Sequence, residues 1–476
     1  MSFHAYVRKM QDRQRTSGLP LEANLLTDYV DELVTKTRKQ GTHKFNIKDM
    51  AQPIFLERQP FRLVDHVEFE TSEVVNTFLQ AWRQTGLQRF GYLYGRYEPH
   101  PDVPLGIKAV VSCVYEPPQQ GNAEGVELDL PDKDEGLVTA LATSLGLQRV
   151  GMIYTDLHDD GTGKGHVLYR RNASTYWLSS PEIMFAAHHQ NLHPSPTRYA
   201  TTGKFGSKFV TVIVSGNEKQ EIHLEAYQVS NQAMAMTAAG VCQATSEATA
   251  MVVSEPTEEL FVPDVLFKNV NEFGSSFINR ANRAFPVEHL IVTAGHGFPK
   301  EPRPFFATAH PFPLVENRPG GNRDFGLLKS HLAGADRPLL QTLSDFHLLL
   351  FILKSETFDL QTDFPLLLEA VKARNQAKLD QVVRTPSWQT LMMVANEAAI
   401  ASLSLPKSGG GGGGGGAGGG GGAGVVPDRI LPGSKEKFHQ QLALLKEMGF
   451  ADETRCLSLL QQTNGNVEVV IQRLMS

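Results

Sequence analysis

His188, His189 and His193 stand close enough along the chain to share a cation, since an i, i+4 pair on a helix turns two imidazoles to one side. Pro194 follows directly, so no helix is predicted to run through them and a polar surface cluster is the expectation. The run "DDGTGKGH" at 159–166 has the glycines and the lysine of a phosphate-cradling loop. It lacks the first glycine at the right distance and a Ser or Thr after Lys164, so it reads as a hairpin loop. Cys113 lies in an apolar run and reads as a buried thiol rather than a nucleophile. The stretch the rest of the chain must position is 148–182, from "QRVGMIYTDL" to "YWLSSPE". It reads as a short buried strand, a polar loop with three glycines, a second short strand and a helix start.

The bulk composition narrows the classes of function. At 476 residues the length predicts two to four domains with ample chain for a large core. Hydrophobic content of 41% and charged content of 20% are those of a soluble globular protein. A net charge of −6 points to neither nucleic acid nor an anionic membrane. Cys113, Cys242 and Cys456 are far apart, which argues against a disulfide framework or a Cys-rich zinc module and suits a reducing compartment. The N-terminus "MSFHAYVRKM" has no apolar signal region, and the longest apolar run, "FHLLLFIL" at 346–353, is too short to span a bilayer.

Several elements can be placed from periodicity. Residues 22–39 are amphipathic at helical spacing, with Leu25, Leu26, Tyr29, Val30 and Leu33 on one stripe, and read as a surface helix or docking arm. Residues 72–83 put Val74, Val75, Phe78, Leu79 and Trp82 on one helix face. "FGYLYGRY" and "GIKAVVSCVYEPPQ" read as adjacent strands, and 137–145 as a helix stopped by Gly146. "RVGMIYTDL" and "HVLYRR" read as strands, and Pro181 opens a helix. "FGSKFVTVIVSG" and "EIHLEAYQVS" pair as a hairpin about 216–219. Residues 241–400 read as mostly helical, with apolar helices over 339–352 and 364–371.

The order helix–strand–strand–helix–strand, with 148–182 at its centre, resembles the MPN/JAMM fold, whose active members cleave ubiquitin chains with zinc. In that family's frame V-G-W-x-H-x-H-P, the sequence reads Val150, Gly151, Met152, Ile153, Tyr154, Thr155, Asp156, Leu157. The two histidine ligands of the family thus fall on Tyr154 and Asp156, and the later S-x-x-D falls on Ser179 and Glu182. The glutamate that activates water falls on Gln88, three residues before Gly91, and a carboxamide takes no proton from water. A phenol and a carboxylate do not supply the imidazoles of an open zinc site. The resemblance therefore implies a pseudo-metalloprotease with no metal and no cofactor.

A narrower resemblance follows from ordered blocks along the chain. "MSFHAYVRKM" (1–10), "FGYLYGRYEPHPDVPLGIKA" (90–109), "VYEPPQ" (114–119), "KFGSKFVTVIVSG" (204–216), "EAYQVSNQAMAM" (225–236), "FVPDVLFK" (261–268), "FPVEHLIV" (285–292), "HPFPLVENR" (310–318) and "SDFHLLLFIL" (344–353) resemble the nuclear protein localization four family. Members of that family are catalytically dead and bind polyubiquitin. With ubiquitin fusion degradation protein one they serve as substrate adaptors of a hexameric AAA unfoldase, valosin-containing protein, in ER-associated and nuclear degradation. The family normally carries an N-terminal UBX-like domain and zinc fingers that hold it on the ATPase. The sequence begins about where the UBX-like domain ends, and 11–60 contain no cysteine, so both are expected to be absent and docking on the ATPase to need another contact.

From 409 to 424 the chain is glycine with two alanines, a composition that predicts a flexible tether. Residues 434–476 resemble a three-helix UBA domain, with M-G-F at 448–450 and N-G-N at 464–466. The resemblance implies a ubiquitin-binding patch of Met448, Gly449, Phe450, Leu474 and Met475. The expected architecture is thus a polar, helical segment at 1–60, an inactive α/β MPN domain at 61–240 and a mostly α C-terminal domain at 241–400. A Gly-rich linker at 401–433 and a UBA domain at 434–476 complete it. The expected protein is a polyubiquitin adaptor of cytoplasm and nucleus, peripheral at the endoplasmic reticulum. Two rival readings are a decoy that binds ubiquitin without reaching the ATPase, and a zinc deubiquitinase built around His158 or His188.

Overall fold

The structure is a computed structural model that describes residues 1–16, 25–38, 51–270, 275–306, 311–313, 325–333 and 338–404. The glycine run and the expected UBA domain, with Met448, Gly449, Phe450, Leu474 and Met475, lie outside the described residues. The described chain is mixed α/β with a helical C-terminal part.

Seven strands close into a barrel. They are β1 (His66–Phe69), β2 (Phe90–His100), β3 (Gly106–Tyr115), β4 (Gln148–Thr155), β5 (Val210–Gly216), β6 (Ile222–Val229) and β7 (Ile291–Gly297). Their order around the barrel is β5-β6-β7-β1-β3-β2-β4, and β4 returns to β5 in parallel. Side chains alternate across each strand, so β5 sends Val210, Val212 and Val214 to the inside and Ile213 to the outer layer. Both faces are covered, which is why β5 reads as a continuous apolar run rather than an alternating one. The paired strands β2–β3 and the hairpin β5–β6 are where the sequence places them.

Helices complete the two layers. After α1 (Phe3–Thr16) and α2 (Tyr29–Thr37), α3 (Ser72–Thr85) packs Val74, Val75, Phe78 and Leu79 into the barrel's inner core. It stops at Gly86, whose left-handed φ of 68° lets its N–H return to the Trp82 carbonyl. The outer layer holds α4 (Glu135–Ser144), α5 (Ser180–Leu192) and α6 (Asn231–Ala239). The C-terminal part contributes α7 (Phe325–Leu332), α8 (Leu339–Leu343), α9 (Phe346–Lys354), α10 (Asp363–Lys372), α11 (Gln376–Val383) and α12 (Pro386–Ser404). Of these, α9 seats against the barrel: Phe346 stacks on Tyr94 at 5.8 Å, and His347 Nε2 donates to the Val114 carbonyl at 2.9 Å. No helix among the described residues is long and apolar enough to cross a membrane.

Several expectations change. The predicted helix at 22–39 begins only at Tyr29, capped by the Asp28 carboxylate on the Val30 N–H. Leu26 leaves the stripe and joins Phe3, Phe61 and Phe205 in a separate apolar cluster. "HVLYRR" is no strand; only Val167 makes a bridge, to Asp159, because Arg170 and Arg171 turn toward acidic partners instead. The helix expected over 339–352 breaks in two at Asp345, whose carboxylate caps α9 through the His347 and Leu348 N–H groups. The described residues of 242–297 carry six strands, so the helical part begins later than 241, and β7 closes the barrel from beyond 240. Strand pairing also crosses residue 60, where Ile54–Leu56 runs parallel to Val265–Val270.

Candidate functional site

The barrel delivers β4 and its continuation to the N-terminus of α5, and this brings Tyr154, Asp156, Ser179 and Glu182 together around one residue, Arg171. Its side chain is 3% exposed. The Nε donates to Asp156 Oδ2 at 2.7 Å, and Nη2 and Nη1 donate to the two Glu182 oxygens at 2.6 and 3.1 Å. Nη1 also donates to the Trp177 carbonyl at 2.9 Å, so both faces of the fork are used. The ring of Tyr176 lies under the same guanidinium at 5.1 Å.

Each neighbour is placed by local structure. Ser179 is the N-cap of α5, and its N–H and Oγ both donate to Glu182 Oε2 at 2.8 Å, a capping box that also aims the carboxylate at Arg171. Pro181 sits in the first turn of the helix, as its position in the sequence predicts. Asp156 follows the end of β4 and accepts from Arg171 on one oxygen and contacts His158 Nε2 at 3.0 Å on the other. Burial alone would raise the Asp156 carboxyl; the Arg171 guanidinium and the His158 hydrogen bond outweigh it and hold it below the usual carboxylate range. The Tyr154 hydroxyl is buried beside Glu182, and burial, then the charge of Glu182, pushes it well above the ordinary phenol value.

Gln88 stands beside this group rather than in it. Its Nε2 donates to the carbonyls of Leu157 and Ala123 at 2.7 and 2.9 Å, and its Oε1 accepts from Thr155 Oγ1 at 2.7 Å and the Leu157 N–H at 3.2 Å. A fully satisfied carboxamide ties the start of β2 to the end of β4 and offers no free lone pair to a water. A divalent ion does not fit these residues: the two carboxylates already share a guanidinium, whose positive charge would repel it. Among the described residues no three His, Cys, Asp or Glu side chains are grouped to hold a metal.

The histidines expected as a polar surface cluster are mostly interior. Helix α5 does run through His188 and His189 and ends at Leu192, before Pro194. His189 is buried, its Nδ1 donating to the Phe185 carbonyl at 3.0 Å and its Nε2 facing the Tyr92 hydroxyl at 3.3 Å. His193 stacks flat on Phe209 at 5.0 Å, and burial pushes it down to about 4. Only His188 faces solvent. Cys113 is buried and its thiol pushed far up by desolvation, as expected of a core residue.

Comparison with known proteins decides what this barrel and its site belong to. The NPL4 family description matches residues 89–396, which hold six of the seven barrel strands and α4 through most of α12. The chain belongs to the NPL4 family. It is 38% identical over 416 residues to Nuclear protein localization protein 4 of Saccharomyces cerevisiae, covering 84% of this chain and 71% of that protein. It is 41% identical over 400 residues to the Homo sapiens homolog, covering 82% of this chain and 64% of that one, so the chain spans less than two thirds of the human protein's length. The Rattus norvegicus homolog is 40% identical over 418 residues, 86% of this chain and 67% of its own.

The family match also corrects one expectation. A second description, "NPL4 family, putative zinc binding region", matches residues 1–86, so the family's zinc-binding region is represented in the chain rather than missing. The donors in that region are His4, His43 and His66 together with carboxylates, and it contains no cysteine. A thiolate-rich structural zinc site does not fit that set. Within that region α1 is seated by aromatic packing, with Phe3 stacked on Phe205 at 5.7 Å and Tyr6 against Phe61 at 4.6 Å. The residue that sequence reasoning missed is Arg171. The available signal was the Arg170–Arg171 doublet at the end of a run lying between two acidic positions.

Proposed function

We propose that this NPL4-family chain is a non-enzymatic adaptor that binds polyubiquitin on an inactive MPN-type barrel and on a C-terminal UBA domain. In this reading it acts with ubiquitin fusion degradation protein one to present substrates to the AAA unfoldase, in ubiquitin-dependent and ER-associated degradation. It works in cytoplasm and nucleus and peripherally at the endoplasmic reticulum. The observation that supports the non-enzymatic part is the Arg171 guanidinium clamped between Asp156 and Glu182: both carboxylates that the resemblance puts at zinc-ligand positions are already paired with a fixed positive charge. Family membership supports the adaptor part, and the M-G-F and N-G-N spacing at 448–450 and 464–466 supports the UBA part.

The test is a titration of ubiquitin chains of increasing length against three proteins: the intact chain, a chain ending at Pro406, and Met448→Ala/Phe450→Ala. Two platforms on one chain raise avidity for long chains by roughly 10²–10⁴ when both engage. The expected result is that both altered proteins still bind long chains but lose that gain, and to a similar degree. Complete loss of binding in both would remove the barrel from the reading and leave the UBA as the ubiquitin contact. Pull-down of the ATPase with and without the partner adaptor then separates an adaptor from a decoy.

A further inference from the structure

Four histidines outside the Arg171 site gather where the barrel is least securely closed. Strands β7 and β1 meet in parallel over Gly295–Gly297 and His66–Glu68 alone, the shortest ladder in the barrel. The antiparallel β2–β3 ladder runs from Tyr92–Tyr115 to His100–Gly106. On one side of the seam the rings of His66 and His100 stack at 5.2 Å; on the other, His223 and His296 meet edge to face at 5.1 Å. His296 is within electrostatic reach of both His223 and His66, so the two pairs act on one another. The backbone is shaped to admit the rings: a Cβ on Gly295 would lie 2.8 Å from His66 Nδ1.

We propose that these four histidines are an acid-sensitive latch: when the rings take up protons, β7 parts from β1 and the barrel opens along that seam. Neutral imidazoles pack and stack; charged ones at this spacing repel, and the ladder between them is too short to resist. The surrounding charges offset one another only in part. Glu68 on β1 and Asp102, beyond β2, both favour a charged His66, but burial, His100 and Lys108 of β3 outweigh them. Lys108 also holds Glu68 at 2.7 Å, and Glu98 of β2 stands 3.8 Å from the same ammonium. Asp65 accepts the Ile107 N–H at 3.1 Å and faces Arg62 at 3.5 Å. Strand β6 adds Glu225, which takes the Tyr227 hydroxyl, and β7 carries no charged residue besides His296.

The pH window follows from the sign. Burial first, then the neighbouring rings, pushes His296 down to about 4, and His66 is lowered by burial and by His100. A group depressed in the folded state binds its proton first in the open state. The seam is therefore stable above the ordinary imidazole value of about 6.5 and weakens as pH falls from there toward His296's own.

The test is deuterium exchange of the full chain at about pH 7.5 and about pH 5, corrected for the intrinsic pH dependence of exchange. On acidification, peptides covering 66–69 and 291–297 are expected to lose roughly tenfold more protection than those of the β2–β3 ladder. His223→Gln/His296→Gln is expected to abolish the difference. His100→Gln, which relieves the other pair, is expected to reduce it and serves if the double variant does not fold. Equal acid loosening of the seam and the β2–β3 ladder, or an undiminished response in the variants that fold, overturns the latch.

Discussion

Arg171 shows how one side chain decides what a site can do. Two half-buried carboxylates, Asp156 and Glu182, face each other across its guanidinium, and removal of the guanidinium leaves Glu182 without its cation and Asp156 with only the His158 contact. Breaking a buried pair by deleting one partner typically costs about 3–5 kcal/mol, far more than the pair itself contributes. Arg171→Met is therefore expected to lower stability by about that much near neutral pH, read by urea denaturation. The pH dependence gives a second readout. Asp156 is depressed in the folded protein, so its contribution is present above the unfolded carboxylate value and is lost as pH falls through the folded one. In Arg171→Met the same carboxyl protonates more readily, so the stability gap to the parent is expected to shrink with acidification. A gap that stays constant with pH would show that the guanidinium acts by packing alone. The positions of this site were legible as a frame in the sequence, yet its central residue was not. Gln88, Tyr154, Asp156, Ser179 and Glu182 keep the spacing of a known motif, whereas Arg171 belongs to no motif and reaches the carboxylates only through the path of a loop.

At the scale of elements, several local signals were legible in the sequence, although the caps at Asp28 and Asp345, which begin α2 and α9, were not. Strands β5 and β6 pair across a short turn, and Gly86 and Gly146 end helices with left-handed backbones. What else escaped depended on distant partners: β7 is parallel to β1 across more than two hundred residues, and no local pattern announces it. The run at 166–171 has strand-like residues but makes only one bridge, Val167 to Asp159, before Arg170 and Arg171 turn to acidic partners, so propensity lost to tertiary context. Close approach of β4 to β5 sets a sharper constraint. Gly151 pairs with Val210, and a Cβ there would lie 2.4 Å from the Val210 carbonyl oxygen and 2.6 Å from its Cγ2. Gly151→Ala must push two central strands apart, and the expected loss is about 1–3 kcal/mol. Gly136, exposed in the first turn of α4, has no atom near its missing Cβ. Gly136→Ala is expected to be stabilising by up to about 1 kcal/mol. Thermal unfolding of the two variants should thus move in opposite directions; a shared direction would remove the close approach as the cause.

The whole described molecule is tied together by pairings that ignore the boundaries drawn from sequence. Residues 1–406 form one compact unit. Residues 61–240 contain six of the seven barrel strands, but without β7 the edges of β6 and β1 are left open and the inner core faces water between them. The same cut removes α9, whose Phe346 and His347 cover Tyr94 and the end of β3. It also removes α1, with Phe3 and Tyr6 from the aromatic cluster around Phe61 and Phe205. Unpaired strand edges and exposed apolar faces favour aggregation over folding. A fragment of 61–240 is therefore expected to be insoluble or to lack a cooperative unfolding transition. A fragment of 1–406 is expected to unfold in one step, with coincident far-ultraviolet circular dichroism and tryptophan fluorescence. If 61–240 instead melts cooperatively, the seam at β7 adds little to the barrel, and the barrel's closure is a consequence of folding rather than a condition for it. If 1–406 melts in two steps, the helical part from Phe325 onward folds on its own, and only the strands through Gly297 share the fate of the barrel.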